Sequence, residues 1–326
     1  MLEIKALREA FETYRQQYAF SQEPQGLYEP VEYIMSSSGK RLRPVLVLMG
    51  GALFKGDTAY TLPVAMAVEV FHNFSLVHDD IMDEAPLRRG RPAVHTKYGL
   101  NTGILSGDVM LIYAYQFLSK GGKTEREIAA LLDVFNAVAI EVCEGQQFDV
   151  DFESRNDVTI SEYINMIELK TAALIGGSLQ MGGIAAGAPP MAQHQLRDFG
   201  RNIGIAFQLQ DDILDTFGDP EKFGKRVGGD ILQNKKTFLI LKALELADGE
   251  TYKTLHHLMT TMPQDEASKV STVTQILREL NIPDWAERQK QQYQDLAFTA
   301  LDQLNAPQQG KQQLRSLAEQ LLVRES

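Results

Sequence analysis

Apolar residues recur along this chain at spacings of three and four, carried by Leu and Ala among Glu, Gln and Lys, which is the period of amphipathic helix. Alternating runs of β-branched residues, the mark of strands, are nearly absent. Glycine and proline punctuate the pattern. Gly26 and Pro30 close a first helical region, and Lys55-Gly56-Asp57 and the stretch from Pro86 to Pro92 read as loops. Gly121-Gly122 ends a helix, Pro189-Pro190 is a sharp break, and Gly218 to Gly229 reads as a loop rich in glycine and lysine. Pro263, Pro283 and Pro307 divide a polar, Gln-rich tail in which Trp285, the only tryptophan, is expected to pack against the body. No stretch has the composition of a linker, so the pattern predicts one all-α domain over residues 1–326, a bundle of roughly ten or more helices.

Composition narrows the function. Lys and Arg number 32 against 43 Asp and Glu, a net charge of -11, which argues against a general nucleic-acid binder. Cys143 stands alone, so an intrachain disulfide and Cys-rich zinc or iron–sulfur sites are excluded. The first residues are charged every few positions and lack the apolar core of a signal peptide. Neither the run from Val45 to Phe54, with two glycines inside it, nor Ala172–Ala188, with Ser178 and Gln180, is apolar enough for a membrane span. A soluble, cytoplasmic protein is expected.

One motif occurs twice. Asp79-Asp80-Ile81-Met82-Asp83 and Asp211-Asp212-Ile213-Leu214-Asp215 share the pattern Asp-Asp-Ile-x-Asp. A single acidic cluster is normally a solvated helix end, but these two follow apolar segments, Val68 to Val77 and Ile203 to Gln210. At about 100° per residue, His72, Ser75, Asp79 and Asp83 fall on one stripe, as do Gly204, Gln208, Asp211 and Asp215 on the second helix. Each helix thus carries a polar seam ending in two carboxylates four residues apart. Carboxylates taken out of water need cations, and all-oxygen donors select a hard ion such as Mg²⁺, which shares its shell with water and phosphate oxygens. The pattern suggests a diphosphate clamp. A di-iron bundle would need Glu-x-x-His on two helices, and only Glu69–His72 matches.

A diphosphate also needs Lys and Arg. Ser38-Gly39-Lys40-Arg41-Leu42-Arg43-Pro44 precedes an apolar helix, and Leu87-Arg88-Arg89-Gly90-Arg91-Pro92 follows the first acidic motif. Gly224-Lys225-Arg226 and Asn234-Lys235-Lys236-Thr237 follow the second, and Lys170-Thr171 precedes the Ala/Gly-rich stretch. Each alone reads as a solvated loop charge; their places after the acidic seams and beside glycine suit close approach to phosphate. A nucleotide P-loop is absent.

Together these residues resemble the trans-isoprenyl diphosphate synthase (polyprenyl synthetase) family, from about Gly39 to Thr237. The resemblance implies the isoprenoid synthase fold, helices around a deep central cavity, usually as a homodimer. It implies joining of an allylic diphosphate to isopentenyl diphosphate with release of pyrophosphate. By the same resemblance Asp79, Asp83 and Asp211 are the Mg²⁺ ligands, with Asp80, Asp212 and Asp215 supporting. Arg88, Lys170 and Lys225 hold the allylic diphosphate, with Lys235 a fourth candidate, and Lys40, Arg43, His72 and Arg89 form the isopentenyl diphosphate pocket. Thr171 and Gln208 lie near the developing carbocation. His72 reads equally as a core histidine. Phe74, with Phe71 deeper and Ser75 above, is the chain-length floor that the family places before the first motif, although an ideal helix turns Phe74 about 140° away from Asp79. Two bulky residues at that depth suggest a C20 or C15 product. The departures are Ser38 where the family usually has glycine, and a basic segment before Lys235 one residue longer than in some members. A class I terpene cyclase, a longer-chain synthase and an inactive regulatory subunit are the alternatives.

Overall fold

The computed structural model describes residues 4–20, 22–219, 227–261 and 265–323. The chain is helical almost throughout: α1 (Ile4–Gln16), α2 (Gln25–Met35), α3 (Leu42–Leu53) and α4 (Thr58–Met82) lead to a minimal hairpin of β1 (Leu87–Arg88) and β2 (Arg91–Pro92). There follow α5 (Val94–Tyr98), α6 (Leu100–Leu118), α7 (Glu125–Ser154) and α8 (Ile160–Ile167), a π-helical turn over Glu168–Ala172, α9 (Ala173–Ala185) and α10 (Pro190–Phe217). Six further helices are described: α11 (Gly229–Leu232), α12 (Phe238–Leu246), α13 (Gly249–Leu258), α14 (Glu266–Glu279), α15 (Ile282–Gln303) and α16 (Gln308–Leu322). The residues fall into two compact units, one of Met1–Ala137, Gly177–Arg197 and Leu304–Gly310, the other of Val138–Gly176, Asp198–Gln303 and Lys311–Ser326. No described helix is long and apolar enough to cross a membrane.

In the first unit α4 is the spine, with α3 and α6 packed along it. Asp57 caps its start, its side chain accepting from the Ala59 amide at 2.9 Å. From Val64 to Phe71 every residue is buried, Glu69 included. Glu69 is answered by Arg41, which sits in the left-handed region at φ 48° just ahead of α3. The Arg41 guanidinium donates to Glu69 Oε1 at 2.6 Å, to Glu12 Oε1 at 2.7 Å and to the Met35 and Ser37 carbonyls. This buried pair fixes the loop ahead of α3 onto α4; removing one partner of such a pair typically costs about 3–5 kcal/mol. Phe71 is fully buried against Phe135, ring centroids 5.1 Å apart.

The second unit closes around Phe152, Tyr163, Met166, Ile205, Leu209, Phe238, Leu255, Val273 and Leu277, contributed by α7, α8, α10 and α12 to α14. The π-helical turn lies against glycines of its neighbours. A Cβ on Gly145 would strike the Lys170 backbone, and one on Gly204 would lie 2.6 Å from the Ala172 Cα. Arg201 locks the turn from α10, donating to Glu141 at 2.8 Å and to Glu168 at 3.0 Å.

Several punctuation marks fall elsewhere than the sequence pattern places them. Pro30 lies inside α2, where its own burial offsets the missing N–H bond, and Gly26 is in that helix's first turn. Pro283 is the second residue of α15, a position where proline is tolerated. The stretch from Pro86 to Pro92 is a hairpin and not an open loop. Trp285 remains 38% exposed, with the Lys242 and Arg288 cations over its ring at 4.5 and 4.2 Å. Pro263 and most of the loop between Gly218 and Gly229 lie outside the described residues.

Gly50 on α3 has a direct test. A Cβ there would strike the Leu179 carbonyl of α9, so backbone meets backbone. Alanine gains about 1 kcal/mol of helix propensity, but here Gly50→Ala should destabilise the protein by about 2 kcal/mol, the usual cost of overpacking. Equilibrium denaturation checks it; a stabilised variant would show that the helices can part freely.

Candidate active site

Both acidic motifs sit at the C-terminal ends of long helices. Asp79 and Asp80 are in the last turn of α4 and Asp83 is its C-cap, with the Asp83 amide donating to the Asp79 carbonyl at 2.9 Å. Asp211, Asp212 and Asp215 lie in the last two turns of α10. A helix C-terminus carries about half a negative charge in its exposed carbonyls. Carboxylates there are therefore unfavourable by themselves and draw cations strongly.

In the first unit the nearest cation is Arg88. Its Nε donates to Asp80 Oδ1 at 2.8 Å, its Nη2 makes a second, shorter bond to the same oxygen, and it reaches Asp79 Oδ2 at 3.4 Å. Burial disfavours the Arg88 charge, but Asp80, Asp79 and Asp83 outweigh it and hold its pKa above the usual value. Asp80 is the buried member, 1% exposed; burial raises its pKa, with Arg88 opposing, and its Oδ2 has no hydrogen-bond partner. Asp79 is partly exposed and Asp83 exposed.

Arg88 and Arg89 part company because of the hairpin turn. Arg89 and Gly90 both have positive φ, 54° and 73°, which is the two-residue turn whose twist matches paired strands. Arg88 turns to the carboxylates, whereas Arg89 donates to Ser37 Oγ at 3.0 Å and lies over Gly39, where a Cβ would be 2.8 Å from its Nη1. Gly39 thus leaves room for the guanidinium. Arg43 Nη1 is 3.1 Å from His72 Nε2. Guanidinium only donates, so His72 accepts at Nε2 and carries its proton on Nδ1. Burial, then the charges of Arg43, Arg89, Arg88 and Arg41, push the His72 pKa well below 6.5. Burial and Arg89 lower Arg43 to about 10 against the pull of Glu69, and its Nε is buried without a hydrogen-bond partner. Arg89 is lowered likewise, by burial first. With Glu69 already bonded to Arg41, these guanidiniums form a cluster short of negative charge, which suits a polyanion. Lys40 is exposed at the mouth of the same loop.

Ser75 is turned back on its own helix, donating to the His72 carbonyl at 2.8 Å. Phe74 is half-buried between Phe71 and His78, ring centroids 5.6 and 4.9 Å away.

In the second unit Lys170 and Thr171 ride on the π-helical turn, an irregularity common at functional sites. Lys170 Nζ donates to Asp149 Oδ2 at 2.6 Å. Thr171 Oγ1 donates to Gln208 Oε1 at 3.3 Å, Gln208 Nε2 to Asp212 Oδ1 at 3.3 Å, and the Tyr163 hydroxyl to Asp212 Oδ2 in a very short bond. Asp212 and Tyr163 are both buried, and burial heads the causes that raise both pKa values well above normal. Asp215 Oδ2 accepts from the Asp230 amide at 3.0 Å. Lys235 is exposed and follows Asn234, which is held at φ 57° and accepts from the buried Lys269 at 2.5 Å. Lys225 lies outside the described residues.

The structure therefore brings Asp79, Asp80 and Arg88 together, Arg43 with His72, and Thr171 with Gln208. Sequence reasoning missed Asp149, Tyr163 and Arg201. A glycine at 145, four residues before Asp149, was the available sign of a close approach to another backbone; nothing in the sequence marks Tyr163 or Arg201.

The donors fit a hard divalent ion. They are carboxylate oxygens in i, i+4 pairs on one helix face, at the negative pole of that helix, and a pair fills only part of an octahedral shell that otherwise takes water and phosphate oxygens. Among the described residues no three His, Cys, Asp or Glu side chains converge on one point. Carboxylate seams at helix ends and guanidiniums short of counter-charge suit cations and polyanions respectively.

The chain belongs to the polyprenyl synthetase family, whose model matches residues 24–277. It is 39% identical over 263 residues to a short chain isoprenyl diphosphate synthase of Methanothermobacter thermautotrophicus, covering 81% of this chain and 80% of that one. It is 38% identical over 284 residues to a geranylgeranyl diphosphate synthase of Sulfolobus acidocaldarius, covering 86% and 85%. A crystal structure of a geranylgeranyl pyrophosphate synthase superposes with a TM-score of 0.95 over 100% of both chains at 44% identity. The all-α fold expected from the sequence is thus that of isoprenyl synthases.

The state of His72 can be read by linkage. Its folded pKa lies below the unfolded 6.5, so below pH 6.5 the unfolded chain binds the extra proton and stability falls as pH falls, by up to about 1.4 kcal/mol per pH unit. His72→Gln, which keeps an acceptor for Arg43, should lose this part of the acid destabilisation in denaturant titrations from pH 7.5 to 5. Equal pH slopes in the two proteins would mean that His72 titrates normally.

Proposed function

We propose that this chain is a Mg²⁺-dependent trans-prenyltransferase that joins isopentenyl diphosphate to an allylic diphosphate (dimethylallyl, geranyl or farnesyl) and releases pyrophosphate. The observation that carries the reading is the pairing of a carboxylate helix end, Asp79 to Asp83, with a separate guanidinium cluster, Arg43 and Arg89 around a neutral His72. The family supports it, as do the relatives' names. The product is a short-chain diphosphate, geranylgeranyl (C20) before farnesyl (C15), in keeping with the geranylgeranyl synthases among those relatives. The two units are read as one isoprenoid synthase domain, because a single solved chain matches all of it. The protein is proposed to work in the cytoplasm as a homodimer; Leu100, Ile104, Leu105 and Ile112 of α6 expose apolar surface that suits a second copy.

Asp79, Asp83 and Asp211 would hold the metal, which when bound supplies positive charge to the diphosphate leaving group. Lys170, aligned by Asp149, and Arg88 bind the allylic diphosphate, with Lys225 and Lys235 as further cations. Lys40, Arg43 and Arg89 hold isopentenyl diphosphate through hydrogen-bonded charge pairs, and His72 keeps Arg43 in place by accepting from it. Thr171 and Gln208 offer oxygens toward the carbocation. No side chain is needed as nucleophile, and the proton lost at the end is taken by pyrophosphate.

Activity should vanish with chelator and return with Mg²⁺. Asp79→Ala and Asp211→Ala should each lower kcat by about a hundredfold or more, since each removes stabilisation made chiefly in the transition state. Full turnover in excess chelator would remove the metal assignment. Incubation with labelled isopentenyl diphosphate and each allylic primer, followed by product sizing, tests the function itself; a chain inert with every primer would point to a regulatory subunit.

The same assay tests chain length. Phe74→Ala should lengthen the product by about one unit or more, since one helical turn of depth, about 5.4 Å, is comparable to one isoprene unit. Phe71→Ala should extend it further in the double variant, at a stability cost of about 3–5 kcal/mol because Phe71 is fully buried. An unchanged product from the double variant would place the floor elsewhere.

A further inference from the structure

Asp212 stands in the middle of the second acidic motif, yet its side chain is spent inside the protein. It is 3% exposed, and both of its oxygens accept from protein donors: Oδ2 from the Tyr163 hydroxyl and Oδ1 from Gln208 Nε2 at 3.3 Å. One helical residue, about 100°, separates it in direction from Asp211. Tyr163 is equally buried, comes from α8, and is not needed by any step above.

The consequence lies one bond further on. With both Asp212 oxygens accepting, the Gln208 amide turns its NH₂ toward Asp212 and its carbonyl oxygen the other way. That oxygen meets the Thr171 hydroxyl at 3.3 Å. The four side chains form one directed chain, in which Tyr163 fixes Asp212, Asp212 fixes the flip of Gln208, and Gln208 orients the Thr171 hydroxyl. Without the carboxylate, a half-turn of the amide would present two N–H groups where the oxygen now stands, replacing the negative end of a dipole by the positive end.

We infer that Tyr163 and Asp212 are a positioning pair for prenyl transfer: they hold the Gln208 carbonyl and the Thr171 oxygen toward the allylic cation and do not bind the metal. This rests on the reading that Thr171 and Gln208 face that cation. Preorganised dipoles of this kind act without reorganising at the moment of reaction. The pair also spans α8 and α10, so the orientation of a reactive-site amide is set by the packing of the second unit's core.

The test uses the full-length protein and two probes with the same allylic chain, one an ammonium that mimics the cation and one an uncharged isostere. Each is titrated calorimetrically with Mg²⁺ and inorganic pyrophosphate present. The wild-type protein should favour the ammonium, and Gln208→Ala should lose most of that preference. Asp212→Asn should reduce it by about tenfold, the scale of one misdirected dipole. Tyr163→Phe keeps every charge and removes one hydrogen bond, so a fall of about threefold there separates orientation from simple loss of a carboxylate. The double variant should be no worse than Asp212→Asn, as expected of groups acting in series. In kinetics kcat should fall while the KM values and the Mg²⁺ concentration for half-maximal rate stay unchanged.

A raised Mg²⁺ requirement in Asp212→Asn would overturn the inference by making Asp212 a metal ligand. An unchanged ammonium preference in Tyr163→Phe would overturn it even if Asp212→Asn proved too unstable to measure. If Gln208→Ala also kept the full preference, the fault would lie in the placement of Gln208 at the cation, and not in the pair.

Discussion

Like charge gathered at the negative pole of a helix is the constraint on which the rest depends. Asp79, Asp80 and Asp83 close α4, and Asp211, Asp212 and Asp215 close α10, so backbone carbonyls and side-chain carboxylates add their potentials in the same place. Such an arrangement of like charge is unfavourable by itself. It lasts because packing elsewhere holds the helices: α4 is buried from Val64 to Phe71 between its neighbours, and the α10 end is seated on a core reaching from Phe152 to Leu277. The stability of these helices is made along their length, and their ends carry the excess negative charge.

Within each triplet the carboxylates are not equivalent. The middle aspartate is the buried one, Asp80 against Arg88 and Asp212 against Tyr163 and Gln208. The outer ones lie on the helix face that is less enclosed. A repeated Asp-Asp-Ile-x-Asp is thus two kinds of group interleaved by the helical angle, outer carboxylates that are less enclosed and an inner one that is buried and bonded to neighbouring side chains. The basic residues divide in the same way. Arg41 is structural, tied to Glu69 and Glu12, while Arg43 two residues later is left short of counter-charge and bonded to a neutral histidine. Adjacent Arg88 and Arg89 are sent apart by a turn with two positive φ angles.

Much of this could be read from the chain. Helical period, the scarcity of strands and the place of both acidic motifs at the ends of apolar segments follow from local chemistry, and local chemistry is what sequence spacing records. The basic groups were legible for the same reason, as glycine-flanked clusters close to the motifs. The errors came where packing overrides local preference. Pro30 sits inside a helix, where it is buried, and does not close one.

By itself the sequence determined the all-α class, the acidic seams, the kind of ion they suit and the identity of most candidate residues. Each of these depends on residue type and on spacing within a single helix. Only the tertiary structure decided which carboxylates are enclosed, that burial and then the charge of four arginines push the His72 pKa down, that Lys170 answers to Asp149, and that Tyr163 stands behind Gln208. The Lys170–Asp149 and Tyr163–Asp212 contacts join residues 21 and 49 positions apart on different elements. Burial and charge reach across space and not along the chain, so no periodicity within one helix could have carried them.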